Sequence, residues 1–230
     1  MMQLVVVCSG STEESMSETV IGWRDLPLSE QGRQEARQAG ELLREHGFVF
    51  DLAYTSVLKR AIESLWEILA MMDLQWVKVN KSWRLNGRHY GMLEGMSFDE
   101  IAARYGEQKL HNWLTGYDVR VPRVDESDLR HPSHDPRYQD LIPEEIPSGE
   151  TLLETFSRIY PHWDNKIAPM VKIGRRVLVV AHQNSIRGIM TMVEGLSPEE
   201  VFDLEIPQGK PIVYTLSDDM KCIKKEVLGE

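Results

Sequence analysis

The chain opens on an uninterrupted apolar run, Leu4 to Val7, rich in β-branched residues. Such a run suits a strand buried on both faces, the environment of a central parallel strand. The stretch from Ser9 to Met16 is small and polar, as a loop at the carboxyl end of that strand would be. From Ser29 the period changes: Ser29 is placed to cap, Ala36, Ala39, Leu42 and Leu43 form one apolar stripe, and Gly47 can end the helix. The same order of strand, loop and helix recurs with Leu52 to Thr55 and an amphipathic helix from Lys59 to Met72, whose stripe takes in Ile62, Leu65, Trp66 and Leu69.

Val77 to Val79 is a third strand candidate. Ser97-Phe98-Asp99-Glu100 is a capping box opening a helix toward Tyr105, and Ser197-Pro198-Glu199-Glu200 predicts a second helix start with proline at its first position. Periodicity fails between Gly116 and Ser148, where prolines recur at 122, 132, 136, 143 and 147, so an irregular excursion is expected there. A helix from Glu150 through Trp163 then leads into a strand at Arg176 to Ala181, a helix after Asn184, and a terminal hairpin of Ile212 to Leu216 with Lys221 to Val227. Alternating strands and helices predict a three-layer α/β domain.

With 230 residues, 42% of them hydrophobic, and no low-complexity linker, a single domain over 1–230 is expected. The formal charge of −10 and pI near 5.3 argue against nucleic acid or an anionic membrane as partner, since both call for a basic surface. The longest apolar runs, Leu4 to Cys8 and Val177 to Ala181, fall far below the roughly 20 residues that span a bilayer. Neither has the flanks of a signal peptide. Cys8 and Cys222 therefore read as two reduced thiols of a cytoplasmic protein, with a disulfide between them left open.

In open α/β sheets ligands collect beyond the carboxyl ends of the strands. That rule singles out Cys8-Ser9-Gly10 after the first strand and His182-Gln183-Asn184-Ser185 after the fourth. Together with Gly22-Trp23, the run Thr55 to Arg60 and the run Ser82 to Gly91, these segments resemble the cofactor-dependent phosphoglycerate mutases of the histidine phosphatase superfamily, over Leu4 to about Gly229. The resemblance implies a three-layer α/β/α sandwich with a mostly parallel central sheet, an isomerase activity of glycolysis, and a homodimer associating near the third strand. In that family a phosphoryl group passes from an enzyme phosphohistidine to a phosphoglycerate and returns from the other hydroxyl. That chemistry requires a nucleophilic nitrogen, a proton shuttle and several cations.

Carried onto this chain position by position, the resemblance leaves those roles empty. The phosphorylated histidine falls on Ser9, its neighbouring arginine on Cys8, and the acid/base glutamate on Gly87. Two substrate-binding arginines fall on Leu114 and Thr115, and a substrate-binding lysine on Phe98. With Cys8 that removes four cations, each able to form charge-assisted hydrogen bonds of roughly 1.5 to 3 kcal/mol. Ser15, Ile21 and Gln183 stand where the family carries asparagine, threonine and glycine. Arg60, Tyr90, His182 and Asn184 persist, along with Gly10 and Gly22.

Two functional readings follow. In the first, the chain keeps the fold as a binding or regulatory module without mutase activity. Arg60 and His182 then clamp one small anionic or phosphorylated ligand, helped by backbone N–H groups of Ser9 to Thr12. In the second, Ser9, Cys8 or His182 acts on a substrate that is not a bisphosphate. Residual mutase activity, as the resemblance alone would suggest, is a further alternative. No cofactor is expected unless the family activity persists, in which case it is 2,3-bisphosphoglycerate. His131-Pro132-Ser133-His134-Asp135 lacks helical metal-ligand spacing and reads as solvated loop, so no metal is expected. Trp66, Met71, Met72 and Trp76 read as core or subunit interface.

Overall fold

The computed structural model describes residues 2–229. Its sheet has six strands: β1 (Met2–Cys8), β2 (Leu52–Thr55), β3 (Lys78–Lys81), β4 (Val177–Ala181), β5 (Pro211–Leu216) and β6 (Cys222–Val227). Their order across the sheet is β3-β2-β4-β1-β5-β6, with the first four parallel and the hairpin β5–β6 antiparallel at the edge. Successive side chains of a strand point to opposite faces, so each central strand feeds two cores. Val5, Val7, Leu178 and Val180 pack under α1 (Glu30–Glu45) and α2 (Lys59–Met71). Leu4, Val6, Val177 and Val179 pack under α5 (Leu152–His162), α6 (Ala168–Lys172) and α7 (Gln183–Glu194). The fold is the three-layer α/β/α sandwich the alternation predicts.

The caps form as the sequence places them. Ser29 Oγ accepts the Gly32 N–H, and Ser97 with Glu100 closes a reciprocal capping box at the start of α3 (Phe98–Tyr105). A helix without a distinct sequence signal, α4 (Glu107–Thr115), follows directly after Gly106. Helices α3 and α4 carry a small satellite core, with Ile101 and Trp113 against Val20, Leu93 and Val121.

Three local expectations change. At Ser197 only the Glu200 carboxylate reaches back, to the Ser197 N–H, and a single 3-10 turn forms over Glu200–Asp203. Leu204 to Pro207 follows at once, and the residue before a proline prefers extended backbone, so nothing propagates the turn. The helix expected through Trp163 runs on beyond it, through a π turn at Trp163–Ile167 into α6. Pro161 and Pro169 lack N–H donors on either side, which opens the regular bonding there. Trp66 and Trp76 are 56% and 72% exposed beside edge strand β3, while Met72 alone of that group is buried, so the tryptophans lie outside the core.

The segment 116–148 is irregular, with three 3-10 turns at Pro132–His134, Pro136–Tyr138 and Pro143–Glu145, each begun by a proline whose missing N–H costs nothing there. Tyr138 anchors it, its buried hydroxyl accepting the Asn86 amide at 3.0 Å. Among the described residues no helix is long and apolar enough to cross a membrane.

One buried ion pair fixes the segment between Leu85 and Tyr90. Arg158, on α5, donates to Glu150 Oε1 at 2.6 Å and Oε2 at 2.9 Å, and to the carbonyls of Arg84, Asn86 and Gly87 at 2.7 to 2.9 Å. All five of its donors are used. Burial pushes the Glu150 carboxyl up, but the Arg158 charge and hydrogen bonds outweigh it and hold the group below the usual range. Arg158→Met is expected to cost about 3 to 5 kcal/mol in a denaturant titration, because Glu150 is left charged and buried. Arg158→Met/Glu150→Leu is expected to cost less than the sum of the two single changes.

Candidate functional site

β1 and β4 are parallel neighbours in register, Cys8 beside Ala181, so the residues that follow each strand emerge side by side. Ser9 donates its N–H to the Ala181 carbonyl at 2.8 Å, and His182 becomes the N-cap residue of α7. The turn after β2 delivers Arg60 in the first turn of α2, and the segment held by Arg158 delivers Gly87 and Tyr90. Ser9, His182, Cys8, Arg60, Tyr90, Asn184, Gly10 and Gly22 all line one cavity of about 550 Å³. Ser15, Ile21, Gly87, Phe98, Leu114, Thr115 and Gln183, the positions at which the resemblance to mutases implies replacement, line the same cavity. Its volume is that of an ordinary small-molecule pocket.

The polar groups inside are largely committed. His182 Nε2 pairs with Ser56 Oγ at 2.8 Å, whereas neither Ser9 Oγ nor His182 Nδ1 has a partner among the described residues. Burial, and then the charges of Arg60 and Arg158, push His182 well below its ordinary value, so the ring is neutral at neutral pH. Cys8 is pushed up to about 12 by burial, which the nearby Arg60 and Arg187 only partly oppose; it is a thiol, not a nucleophilic thiolate. Arg60 is buried, and it donates Nη1 to the Arg24 carbonyl at 2.9 Å and Nη2 to the Gly22 carbonyl at 2.7 Å. Burial lowers its pKa to about 10, leaving it charged. Tyr90 and Asn184 are bonded to each other, Asn184 Nδ2 donating to the phenol at 3.2 Å.

The backbone of the first loop corrects an expectation. Ser9 to Thr12 does not present free N–H groups to an anion, because each is donated inside the protein. Beyond the Ser9 bond, Gly10 N–H goes to Ser64 Oγ at 3.0 Å, Ser11 N–H to Glu35 Oε2 at 2.8 Å, and Thr12 N–H to Ser15 Oγ at 2.9 Å. The glycines here serve packing. A Cβ on Gly10 would collide with the Gly32 backbone at the start of α1, and Gly22, at φ +56°, faces the Glu94 carboxylate. Glu94 accepts the N–H groups of Trp23 and Tyr90, both at 2.9 Å, and so joins two walls of the cavity.

Sequence reasoning missed six lining residues: Thr19, Val20, Arg187, Phe202, Ile206 and Gln208. Arg187 had a signal, since three residues beyond Asn184 on a helix lies on the same face. Phe202, Ile206 and Gln208 come from the connection to β5, whose path no local pattern reveals. No aspartate or glutamate lines the cavity, although the chain carries a net charge of −10. Among the described residues no group of three or more His, Cys, Asp or Glu side chains could hold a metal ion. His131 is buried and pairs with Ser133 Oγ, while His134 meets the Glu126 carbonyl. Both cysteines are free.

A family model described as the histidine phosphatase superfamily, branch 1, matches residues 4–131, more than half of the chain. The chain belongs to that superfamily. Among solved structures, the α-ribazole phosphatase of Shigella flexneri matches with a TM-score of 0.74 at 19% identity, covering 100% of this chain and 96% of that one. A mycobacterial glucosyl-3-phosphoglycerate phosphatase matches with a TM-score of 0.72 at 20% identity, covering 99% of this chain and 97% of that one. At these identities the likeness is one of fold. Both are named as phosphatases; membership of the superfamily rests on the family model, and the resemblance to mutases in particular on the motifs.

The neutral histidines make a pH prediction. His182 and His162 both have folded-state pKa values below the ordinary 6.5, His162 at about 4 through burial and the charges of Arg84 and Lys166. Their contribution to stability is complete above pH 6.5 and is lost as pH falls below it, because the unfolded chain then binds protons that the folded one refuses. Urea titrations from about pH 7 to about pH 5 are expected to show a loss of up to about 1.4 kcal/mol per pH unit for each such histidine. His182→Asn is expected to flatten that profile.

Proposed function

We propose that this superfamily member has left phosphohistidine chemistry and uses its strand-end cavity as a receptor for one small anion, in a binding or regulatory role. The observation that carries the reading is the commitment of the loop after β1: every N–H from Ser9 to Thr12 is donated internally. A transferring phosphoryl group spreads charge over several oxygens and depends on donors aimed at them before it arrives. Here the donors are spent, the position of the phosphohistidine carries an alcohol, and the adjacent imidazole is bonded to Ser56 rather than to Ser9.

The residues present do not fit 2,3-bisphosphoglycerate. Phe98, Leu114 and Thr115 set apolar or neutral groups where two phosphates would need cations, and Gly87 offers no side chain to move a proton. What remains is a cavity without carboxylates that contains guanidinium groups, suited to a single negative charge. Two free thiols fit a reducing, cytoplasmic setting, and the exposed Trp66 and Trp76 beside β3 fit a homodimer contact.

A second reading rests on the unpartnered Ser9 Oγ and His182 Nδ1 lining one cavity, which favours an altered hydrolase. Turnover separates the two. Wild-type protein is expected to show no mutase activity on 3-phosphoglycerate with 2,3-bisphosphoglycerate and no hydrolysis of p-nitrophenyl phosphate, while sulfate or phosphate raises its melting temperature. Arg187→Gln is expected to abolish that rise. Turnover that disappears in Ser9→Ala or His182→Ala would overturn the binding reading in favour of the enzyme.

A further inference from the structure

Three guanidinium groups line the cavity, and two of them are already answered. Arg88 donates to the carbonyls of Glu150, Trp113 and Val119 at 2.8 to 2.9 Å, with the carboxylates of Glu150 and Glu154 acting on its charge. Arg60 donates to two carbonyls, and Glu94 and Asp25 act on its charge. Arg187 differs. It makes one side-chain hydrogen bond, Nη1 to Asn184 Oδ1 at 2.7 Å, and no carboxylate pairs with it. Its Nε is buried with no acceptor, and Nη2 has no partner among the described residues. The groups that act on its charge are the Tyr90 phenol and the Cys8 thiol, neither of them a carboxylate.

Arg187 is partly buried with its Nε shut off from water, and such a guanidinium without a counter-charge carries a cost that falls when an anion supplies one. The unanswered positive charge in this cavity is a single one. The unused edge of Arg187, Nε with Nη2, presents two parallel N–H groups in one plane, the fork that a carboxylate takes in bidentate fashion. The Phe202 ring centroid lies 5.9 Å from the guanidinium, so an apolar face adjoins the charge, and a ligand reaches the buried Nε by displacing what covers it. Ile21, Phe98, Leu114 and Ile206 add apolar surface to a lining that also carries Ser9, Thr12, Thr115 and Gln208.

We infer that the ligand of this cavity is a monocarboxylate with an apolar or aromatic body, its carboxylate seated on the Nε–Nη2 edge of Arg187 and its body against Phe98, Leu114 and Ile206. This assignment rests on the reading of the cavity as a single-anion receptor and names the anion's class. It makes Arg187 the specificity-determining residue and gives Phe98 and Leu114 a positive role, since apolar walls raise the affinity for the ligand's body.

The test uses three compounds with one phenylethyl body: 3-phenylpropionate, 2-phenylethyl phosphate and 3-phenylpropanamide, titrated calorimetrically into wild-type protein. The carboxylate is expected to bind at least about tenfold more tightly than the phosphate or the amide. Arg187→Gln is expected to remove that preference, and Arg187→Lys, which keeps the charge without the fork, to recover only part of it. Leu114→Arg, which adds a cation to the cavity lining and leaves Arg187 in place, is expected to move the preference toward the phosphate. Tighter binding of the phosphate that depends on Arg60 and ignores Arg187→Gln would overturn the carboxylate assignment while leaving the single-anion reading in place. Failure of these two anions and of inorganic phosphate to bind at all, or hydrolysis of 2-phenylethyl phosphate, would overturn both.

Discussion

The cavity hangs on the buried pair of Arg158 and Glu150. Arg158 spends every donor it has, two on Glu150 and three on the carbonyls of residues 84, 86 and 87, and it lies beside the adjoining rings of Trp23 and Trp83 at 5.5 and 5.8 Å. Glu150 in turn accepts the His89 N–H at 2.7 Å. A segment with no regular hydrogen-bonding of its own is thereby held as firmly as a strand. Such a pair contributes little net stability over an apolar replacement, because desolvation offsets the attraction. Its value is geometric. It places Gly87 and Tyr90 across from His182, with Gly87 so close that a Cβ there would lie 3.1 Å from the Cβ of His182.

The electrostatics of the cavity follow from what surrounds each charge rather than from how many charges there are. Three arginines line it, yet two are neutralised by the protein's own carbonyls and carboxylates. Cys8 and His182, the groups that would supply reactivity, are both held neutral, chiefly by burial. In the receptor role proposed above, a pocket with one unanswered cation and no ionised nucleophile serves recognition rather than bond cleavage.

Much of the fold was legible because the two periods of the chain do not overlap. The run Leu4 to Val7 and the stripe Ala36, Ala39, Leu43 each admit one arrangement that buries them, and β1 and α1 formed as read. Where the sequence misled, competing backbone terms won. Ser197 to Glu200 carries a helix-start pattern that the following extended residues before Pro207 cut to one turn. At the site, the eight residues chosen from motif positions do meet in one cavity, because the ends of parallel neighbours must coincide. Their hydrogen-bond partners were not legible: Ser64, Glu35 and Ser56 lie 24 to 126 residues away from the groups they engage.

By itself the sequence determined which side chains stand at the strand ends, since alternation and loop position are local properties. The resemblance to mutases, carried onto those positions, implies that Ser9, Cys8 and Gly87 stand where that family carries its nucleophile, a cation and its proton shuttle. Only the tertiary structure decided which of the remaining polar groups are free. Hydrogen bonds and desolvation depend on distance in space, and they commit the Ser9 to Thr12 backbone, Arg60 and His182 to the protein while leaving Arg187 unanswered.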